Sequence, residues 1–258
     1  MLGCRLSAAG LTVADDLPEA GQGVWLRADP VRLQPDLAAV WLLAGARLAP
    51  EGRAACALKE LFADHGLAYH PASPERGYLL LDEAPQVRFV PPWTVAGRSL
   101  DEVMPIGADA ARWRRLLSEA QILLHQHAAD DHASDSGTAA NGLWLWGEGP
   151  TSEAADLTPR VRRVYAGDFL LSACARYSGL PCEQIDPTSA RIPGSLIEWR
   201  PDARLDAGDN LEQLSALVAR ARRRLRLGLI SSLELATADE MLQWQIGHAW
   251  PAWMVPGR

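Results

Sequence analysis

Lysine is almost absent from this chain of 258 residues, because Lys59 is the only lysine among 25 basic residues. Schiff-base chemistry and lysine-centred phosphate sites are therefore restricted to one position on a predicted helix surface, and both can be set aside. The sequence also lacks a G-x-x-x-x-G-K-[ST] phosphate loop and the G-x-S-x-G motif of serine hydrolases. The net charge of −7 makes nucleic acid and an anionic membrane surface unexpected partners.

Long apolar runs are missing as well, since no stretch approaches the roughly 18 residues that a membrane span requires. The four cysteines contain no C-x-x-C pair, so we expect free thiols and not a disulfide framework or a zinc site. The first ten residues have no apolar segment typical of a secretory signal, which predicts a cytoplasmic protein.

The content of apolar residues is 48%, which is ordinary for a globular protein with a proper core. The patterns predict an α+β fold with βα units: a mixed sheet with packed helices in one compact domain, with lobes at about 1–130 and 140–258. The predicted elements are a strand over Val24–Pro30 ended by a proline turn, helices over 50–66 and 109–127, a strand-turn-helix unit over 161–179, a helix opened by the capping box Asp209-x-x-Glu212, and a hairpin over 229–246.

Two groups of histidine and acidic residues contain possible metal ligands. Their spacing is not diagnostic, and a solvated polar loop is the favoured interpretation of the larger group. The pair Asp64-His65 follows a predicted helix, where a histidine interacts well with the helix dipole, so capping is favoured there. The larger group consists of His125, His127, Asp130, Asp131, His132 and Asp135.

Three arginine runs could form an anion site if the fold brings them together. The favoured alternative is a solvated face, because the last run lies at the C-terminal end of a predicted helix and cations there offset the helix dipole. The runs are Arg112/Arg114/Arg115, Arg160/Arg162/Arg163 and Arg220/Arg222/Arg223/Arg224/Arg226.

Two blocks carry a resemblance to known families. The text W-L-R-A-D-P-V-R-L at 25–33 and N-G-L-W-L-W-G-E-G at 141–149 resembles a bacterial family named after a regulator of pathogenicity factors, the RpfE type. The second block, from Ala140 to Gly149, is also similar to the A-N-x-x-W-L-W-G-x-G text of archaeal-type cofactor-independent phosphoglycerate mutases.

The resemblance to the mutases implies a fold like part of an alkaline-phosphatase-like enzyme. It also implies phosphoryl transfer through a metal-activated Ser or Thr, where two cations held by Asp and His neutralise the reacting oxygens. The sequence has no Asp-rich segment near its N-terminus and no His-x-x-x-Asp-x-x-x-His arrangement that would complete such a site. The favoured hypothesis is thus a non-catalytic, cytoplasmic regulatory or binding protein that uses no cofactor.

A small phosphorylated metabolite or a protein is the partner expected under this hypothesis. The alternative is a phosphoglycerate mutase or phosphatase acting on a small phosphorylated acid. Its divalent metals would be held by Asp29, Asp64, His65, Asp131, His132 and Asp168. A third interpretation, a scaffold acting through protein contacts, predicts an exposed patch with several tryptophans.

The predicted ligand site consists of Arg27, Asp29, Asn141, Trp144, Trp146 and Asp168. In it Arg27 binds an anion, Asn141 orients the anion or caps the turn, and the tryptophans wall the pocket. A purely structural alternative stays open: an Arg27–Asp29 salt bridge in a turn, two tryptophans as core and rim of one strand, and Asp168 as a helix N-cap.

Overall fold

The computed structural model describes residues 6–36, 40–43, 45–95, 99–127, 139–151, 159–184, 190, 192–202, 205–237 and 240–245. The chain divides into two compact units, Met1–Glu153 and Ala154–Arg258. The boundary between the units thus comes after the tryptophan-rich block at 141–149. The sequence analysis instead predicts a lobe boundary before this block, between about 130 and 140. Each unit has its own sheet and helices.

The first unit is built on an antiparallel sheet with the long strand β1 at its centre. Strand β1 pairs with β2, β4 and β7, β3 pairs with β4, and β5 and β6 form a separate pair. The elements are α1 (Ala8–Asp16), β1 (Val24–Pro35), β2 (Val40–Leu43), α2 (Arg53–Asp64), β3 (Ala68–Ser73), β4 (Arg76–Leu81), β5 (Val87–Arg88), α3 (Leu100–Val103), β6 (Ile106–Gly107), α4 (Ala110–His127) and β7 (Gly142–Pro150).

Strand β1 continues through Pro30, so the prediction that a proline turn ends it there is wrong. The stretch 24–27 pairs with β4 and the stretch 32–35 pairs with β2. Proline has no N–H to donate to a ladder, and Pro30 lies between these two stretches, opposite Leu143 of β7. A proline is therefore tolerated inside the central strand because the strand changes partners at that point.

Helix α1 was not predicted from the small, polar residues that precede β1. Ser7 caps it, since its hydroxyl accepts the N–H of Gly10 at 2.9 Å. Ala9 and Val13 of the helix pack with Trp25 and Tyr78 in one buried cluster. Helix α1 therefore covers the face of the sheet that carries these two aromatic side chains.

Helices α2 and α4 pack in the same unit and contact each other. Phe62 of α2 lies against the ring of Tyr69 on β3, with 5.5 Å between ring centroids, and α2 ends before Gly66 at φ +73. Since side chains alternate along a strand, Tyr69 and its neighbour His70 lie on opposite faces of the sheet. The helices predicted over 50–66 and 109–127 are confirmed, although α2 begins only at Arg53.

The second unit contains a parallel sheet of order β10-β8-β9 and a separate antiparallel hairpin. The predicted strand-turn-helix unit and the predicted hairpin are both confirmed. The elements are β8 (Arg163–Tyr165), α5 (Phe169–Tyr177), β9 (Cys182–Glu183), β10 (Ser195–Ile197), α6 (Ala207–Arg226), β11 (Ser232–Ala236) and β12 (Met241–Gln245).

The start of α6 differs from the prediction. Asp206 is the N-cap and accepts the N–H of Asp209 at 2.8 Å, so the capping box that begins at Asp209 is wrong. Asp209 lies in the first turn, where its negative charge still favours the positive end of the helix dipole. The carboxylate that caps the helix is thus three residues earlier than the one chosen from the pattern.

The α+β class with packed helices is confirmed. The β10-β8-β9 sheet is parallel, whereas the sheet around β1 and the β11–β12 hairpin are antiparallel, so the mixture of strand directions arises between sheets. Within the described ranges, no helix combines the length and the apolar character that crossing a membrane would require.

Candidate functional site

The strands β1 and β7 bring four of the six predicted site residues side by side. Arg27 and Asp29 are two apart on β1 and so share one face of the sheet. Register pairs Arg27 with Trp146 and Asp29 with Trp144 across the β1–β7 ladder. The tryptophan-rich block therefore lies directly beside the arginine and the aspartate.

Arg27 and Asp29 form a bidentate ion pair. Arg27 Nε donates to Asp29 Oδ1 at 2.9 Å, and Nη2 donates to Oδ2 at 2.8 Å. Trp146 Nε1 also donates to Oδ2, at 2.7 Å, and the N–H of Gly77 approaches Oδ1 at 3.4 Å. Burial raises the pKa of Asp29, while Arg27 and the hydrogen bonds from Trp146 and Gly77 act in the opposite direction. Both carboxylate oxygens are thus occupied by the protein itself.

The Arg27 guanidinium is enclosed, with only 4% of the residue exposed. Its central carbon lies 5.2 Å from the ring centre of Tyr78 and 5.0 Å from that of Trp146, which is cation–π distance for both rings. The remaining nitrogen, Nη1, donates to Thr12 Oγ1 of α1 at 3.2 Å. Every nitrogen of the guanidinium has a protein partner, so the group joins β1, β4, β7 and α1 and is not presented to a ligand.

A second ion pair, which the sequence did not indicate, lies on α1 and β4. Asp16 accepts hydrogen bonds from Arg76 Nε at 2.8 Å, from Arg76 Nη2 at 2.9 Å and from the Tyr78 hydroxyl at 2.6 Å. Tyr78 therefore connects this pair to the guanidinium of Arg27. The sequence did not indicate this pair because α1 was not predicted. Without that helix, no predicted element placed Asp16 near the sheet.

Trp144 and Trp146 are both buried, at 3% and 4% exposure, and neither forms the rim of the strand. Trp144 Nε1 donates to the carbonyl of Val90 at 2.7 Å. The ring of Trp93 meets Trp146 edge-on at 5.0 Å and is half exposed. Among the large apolar side chains that are exposed in the described part of the chain, Trp93 is the one tryptophan, so a patch of several tryptophans is not seen there.

The Gly-Glu-Gly text after the tryptophans allows α1 to approach β7 closely. Gly147 has φ +70, and a Cβ added there would lie 2.7 Å from the Cβ of Ala8. Gly10 of α1 faces the same strand, and a Cβ on it would lie 1.9 Å from the carbonyl oxygen of Pro150. These glycines therefore serve close packing between a helix and a strand.

Asn141 acts as an extra residue of the sheet. Its Oδ1 accepts the N–H of Leu33 at 2.6 Å, and its Nδ2 donates to the Leu33 carbonyl at 2.8 Å. The side-chain amide thereby replaces the backbone of a strand partner just before β7 begins. Asn141 is thus joined to β1 and does not contact the Arg27–Asp29 pair through any described hydrogen bond.

Replacing Asn141 with alanine is expected to lower the free energy of unfolding by about 1–3 kcal/mol, because Leu33 is buried and both of its backbone groups lose their partner. The shift of the urea midpoint measures this loss. The variant Asn141→Asp keeps the acceptor for the Leu33 N–H but turns a carboxylate oxygen toward the Leu33 carbonyl, so it is not expected to restore the parent stability. Equal stability of the alanine variant and the parent protein would contradict the assignment.

Asp168, the sixth predicted residue, belongs to the second unit. Its Oδ1 accepts the N–H of Leu171 at 2.9 Å, so Asp168 is the N-cap of α5, as the structural alternative states. Its Oδ2 accepts Arg200 Nη2 at 2.6 Å, and Glu198 Oε2 accepts the N–H groups of Gly167 and Asp168, both at 2.8 Å. Glu198 also binds Arg200.

These three charged residues lie at the carboxyl ends of β8 and β10, where open parallel sheets place their ligand crevices. Glu198 and Arg200 were missed, although both follow β10 within three residues. The prediction that Asp168 takes part in ligand binding stays a prediction.

The structure describes only some of the residues that could serve as metal ligands under the alternative hypothesis. In the described ranges, no group of three or more His, Cys, Asp and Glu side chains is arranged to hold a metal ion. His65 is the C-cap of α2, and its Nε2 lies 2.9 Å from Glu119 Oε2. His125 and His127 lie in the last turn of α4. Asp130, Asp131, His132 and Asp135 are outside the described residues.

The geometry defines an α+β protein whose tryptophan block holds a buried ion pair. No family model matches the chain. A probable 2,3-bisphosphoglycerate-independent phosphoglycerate mutase from Geobacter sulfurreducens is 34% identical over 67 residues, 26% of this chain and 17% of the relative. The enzyme of that name from Methanothrix thermoacetophila is 28% identical over 97 residues, 37% of this chain and 24% of the relative.

The chain is thus distantly related to the 2,3-bisphosphoglycerate-independent phosphoglycerate mutases. It spans less than a third of the length of these curated relatives, 30% in the case of the Methanosarcina barkeri enzyme, which is 24% identical over 120 residues. The solved cofactor-independent phosphoglycerate mutase of Thermoplasma acidophilum gives a TM-score of 0.40 at 12% identity, covering 94% of this chain and 72% of that one.

Proposed function

We propose that this chain is a non-catalytic regulatory or binding protein related to the phosphoglycerate mutases, in which the tryptophan block serves as a scaffold. The observation that carries the proposal is the closed Arg27–Asp29 pair. Both carboxylate oxygens and all three guanidinium nitrogens have partners within the protein. An arginine that binds substrate needs free donors, and an aspartate that binds a metal needs free oxygens.

The alternative, a mutase or phosphatase with divalent metals, would need Asp29 as one of its ligands. Asp29 does not fit that role, because freeing its oxygens would leave the buried charge of Arg27 without its partner. The same argument supports an absence of metal cofactor in the proposed function. The pair is instead suited to holding four elements of the first unit in place.

The proposed partner is a small phosphorylated metabolite or another protein, and the proposed location is the cytoplasm. Membership of the RpfE-type bacterial family rests on the two blocks at 25–33 and 141–149. Nucleic acid and membranes are not proposed as partners, since the net charge of −7 gives no general attraction for polyanions.

The purified full chain is expected to show no interconversion of 2- and 3-phosphoglycerate in the presence of Mn²⁺ above a protein-free control. Product formation can be followed by coupling to enolase, with a phosphoglycerate mutase assayed in parallel to prove that the coupling works. Turnover that is lost on chelation and restored by Mn²⁺ would remove the proposal, because it would require a functional metal site.

A further inference from the structure

We propose that the second unit contains an anion-binding pocket for a small molecule with two or more phosphoryl or carboxylate groups. The pocket has a volume of about 310 Å³ and is lined by Arg162, Arg163, Pro193 and Arg224. Three of these four side chains are guanidinium groups from two of the arginine runs. The fold therefore brings together cations that are about sixty residues apart in the sequence.

Two different elements fix the arginines around the pocket. Arg163 is the first residue of β8, and Arg224 lies in the last turn of α6. The N–H of Arg162 donates to the carbonyl of Gly194 at 2.7 Å, which joins the start of β8 to the turn before β10. Gly194 has φ +66, and a Cβ added there would lie 3.5 Å from the Arg162 stem, so the arginine packs across the turn. The backbone thus positions the cations without using their charged ends.

The described residues place no carboxylate within ion-pair distance of the pocket arginines. Arg163 Nη1 donates to the Tyr165 hydroxyl at 3.3 Å, and Glu183 of β9 stabilises the Arg163 charge from a distance. No described carboxylate forms an ion pair with Arg162 or Arg224, and none lines the pocket. Like charges held in one concave site repel each other, and a bound oxyanion relieves that repulsion through paired N–H donors.

Helix capping does not account for Arg224. The carbonyls of Arg223, Arg224 and Leu225 accept backbone N–H groups from the residues that follow α6, Leu227, Gly228 and Leu229. The C-terminal end of the helix is therefore satisfied by the backbone. The Arg224 side chain is free to serve the pocket, although the helix dipole also favours its charge.

The size of the pocket selects the ligand class. A volume of about 310 Å³ lies at the small end of the range for small-molecule sites, and the chain as a whole is acidic. A local group of three arginines in an acidic protein fits a compact polyanion and not a long nucleic-acid backbone. The inference goes beyond the proposed function, because it holds whether or not the protein catalyses a reaction.

Isothermal titration calorimetry uses inorganic pyrophosphate as the probe for phosphoryl groups and citrate as the probe for carboxylate groups. Chloride at the same ionic strength is the control. We expect saturable one-site binding of at least one probe. Its dissociation constant should be below about 1 mM, as for a weak metabolite site. Arg162→Gln and Arg224→Gln are each expected to weaken binding at least tenfold. Preference for one probe tells whether the pocket takes phosphoryl or carboxylate groups.

The matched control is Arg222→Gln, which removes the same charge from the same helix. Arg222 is exposed and does not line the pocket, so binding should stay within twofold of the parent protein. An equal loss in the control would show a general charge effect and overturn the proposal, as would the absence of saturable binding for both probes. Arg162 is exposed, so Arg162→Gln keeps the test decisive if Arg224→Gln fails to fold.

Discussion

Replacing Asp29 with alanine is expected to destabilise the protein by about 3–5 kcal/mol, because the substitution leaves the buried Arg27 charge without its counterion. Trp146 Nε1 loses its acceptor at the same time. Urea denaturation followed by tryptophan fluorescence measures the loss. The control Glu75→Ala breaks an exposed ion pair with Arg47 and should cost at most about 1 kcal/mol.

A double variant separates the cost of an unpaired charge from the value of the pair. Replacing Arg27 with methionine and Asp29 with leucine removes both charges and keeps apolar volume. Exchanges of this kind are often neutral or stabilising, so we expect the double variant to recover most of the loss seen in Asp29→Ala. A double variant as unstable as the sum of the two single variants would contradict the account of this site.

Replacing Gly147 with alanine is expected to cost about 2–5 kcal/mol. The left-handed backbone at φ +70 accounts for about 1–2 kcal/mol of this. The rest is about 1–3 kcal/mol for overpacking, because the new Cβ would lie 2.7 Å from that of Ala8 and push α1 from the sheet. The free energy of unfolding in urea measures the total.

Gly66→Ala is the matched control for this change. Gly66 has φ +73, and a Cβ added there meets nothing within 4 Å, so its substitution costs the backbone strain alone. The difference between the two alanine variants isolates the contact between α1 and β7. Equal losses in both variants would mean that α1 is not held against the strand at Ala8.

The elements with a strong apolar period were predictable, and those defined by packing were not. Helix α4 and the β11–β12 hairpin follow from periodicity, since each alternates or repeats over many residues. Helix α1 consists mainly of small residues and depends on its cap at Ser7 and on contact with β7, which no local pattern contains. The course of β1 past Pro30 depends on which strands lie beside it, and this is also non-local.

The candidate site shows the same division. The placement of Arg27, Asp29 and Trp146 side by side was predicted from two blocks of sequence. It was not predicted that these side chains satisfy one another's hydrogen-bonding groups. This depends on the register between β1 and β7 and on Thr12 of a helix that the pattern did not reveal. For the same reason, the sequence left open whether the arginine runs form an anion site or a solvated face. Only the tertiary fold places Arg224 beside Arg162.

The central position of β1 also determines the order in which the first unit can form during synthesis. The strand is made long before β7, since Gly23, just before β1, bonds to Thr151, 128 residues further along the chain. Local pairs such as the β3–β4 hairpin can form first, whereas contacts of such long range form slowly. One edge of β1 therefore waits without its partner until β7 has been made, and the nascent chain is most exposed to wrong strand pairing during that interval.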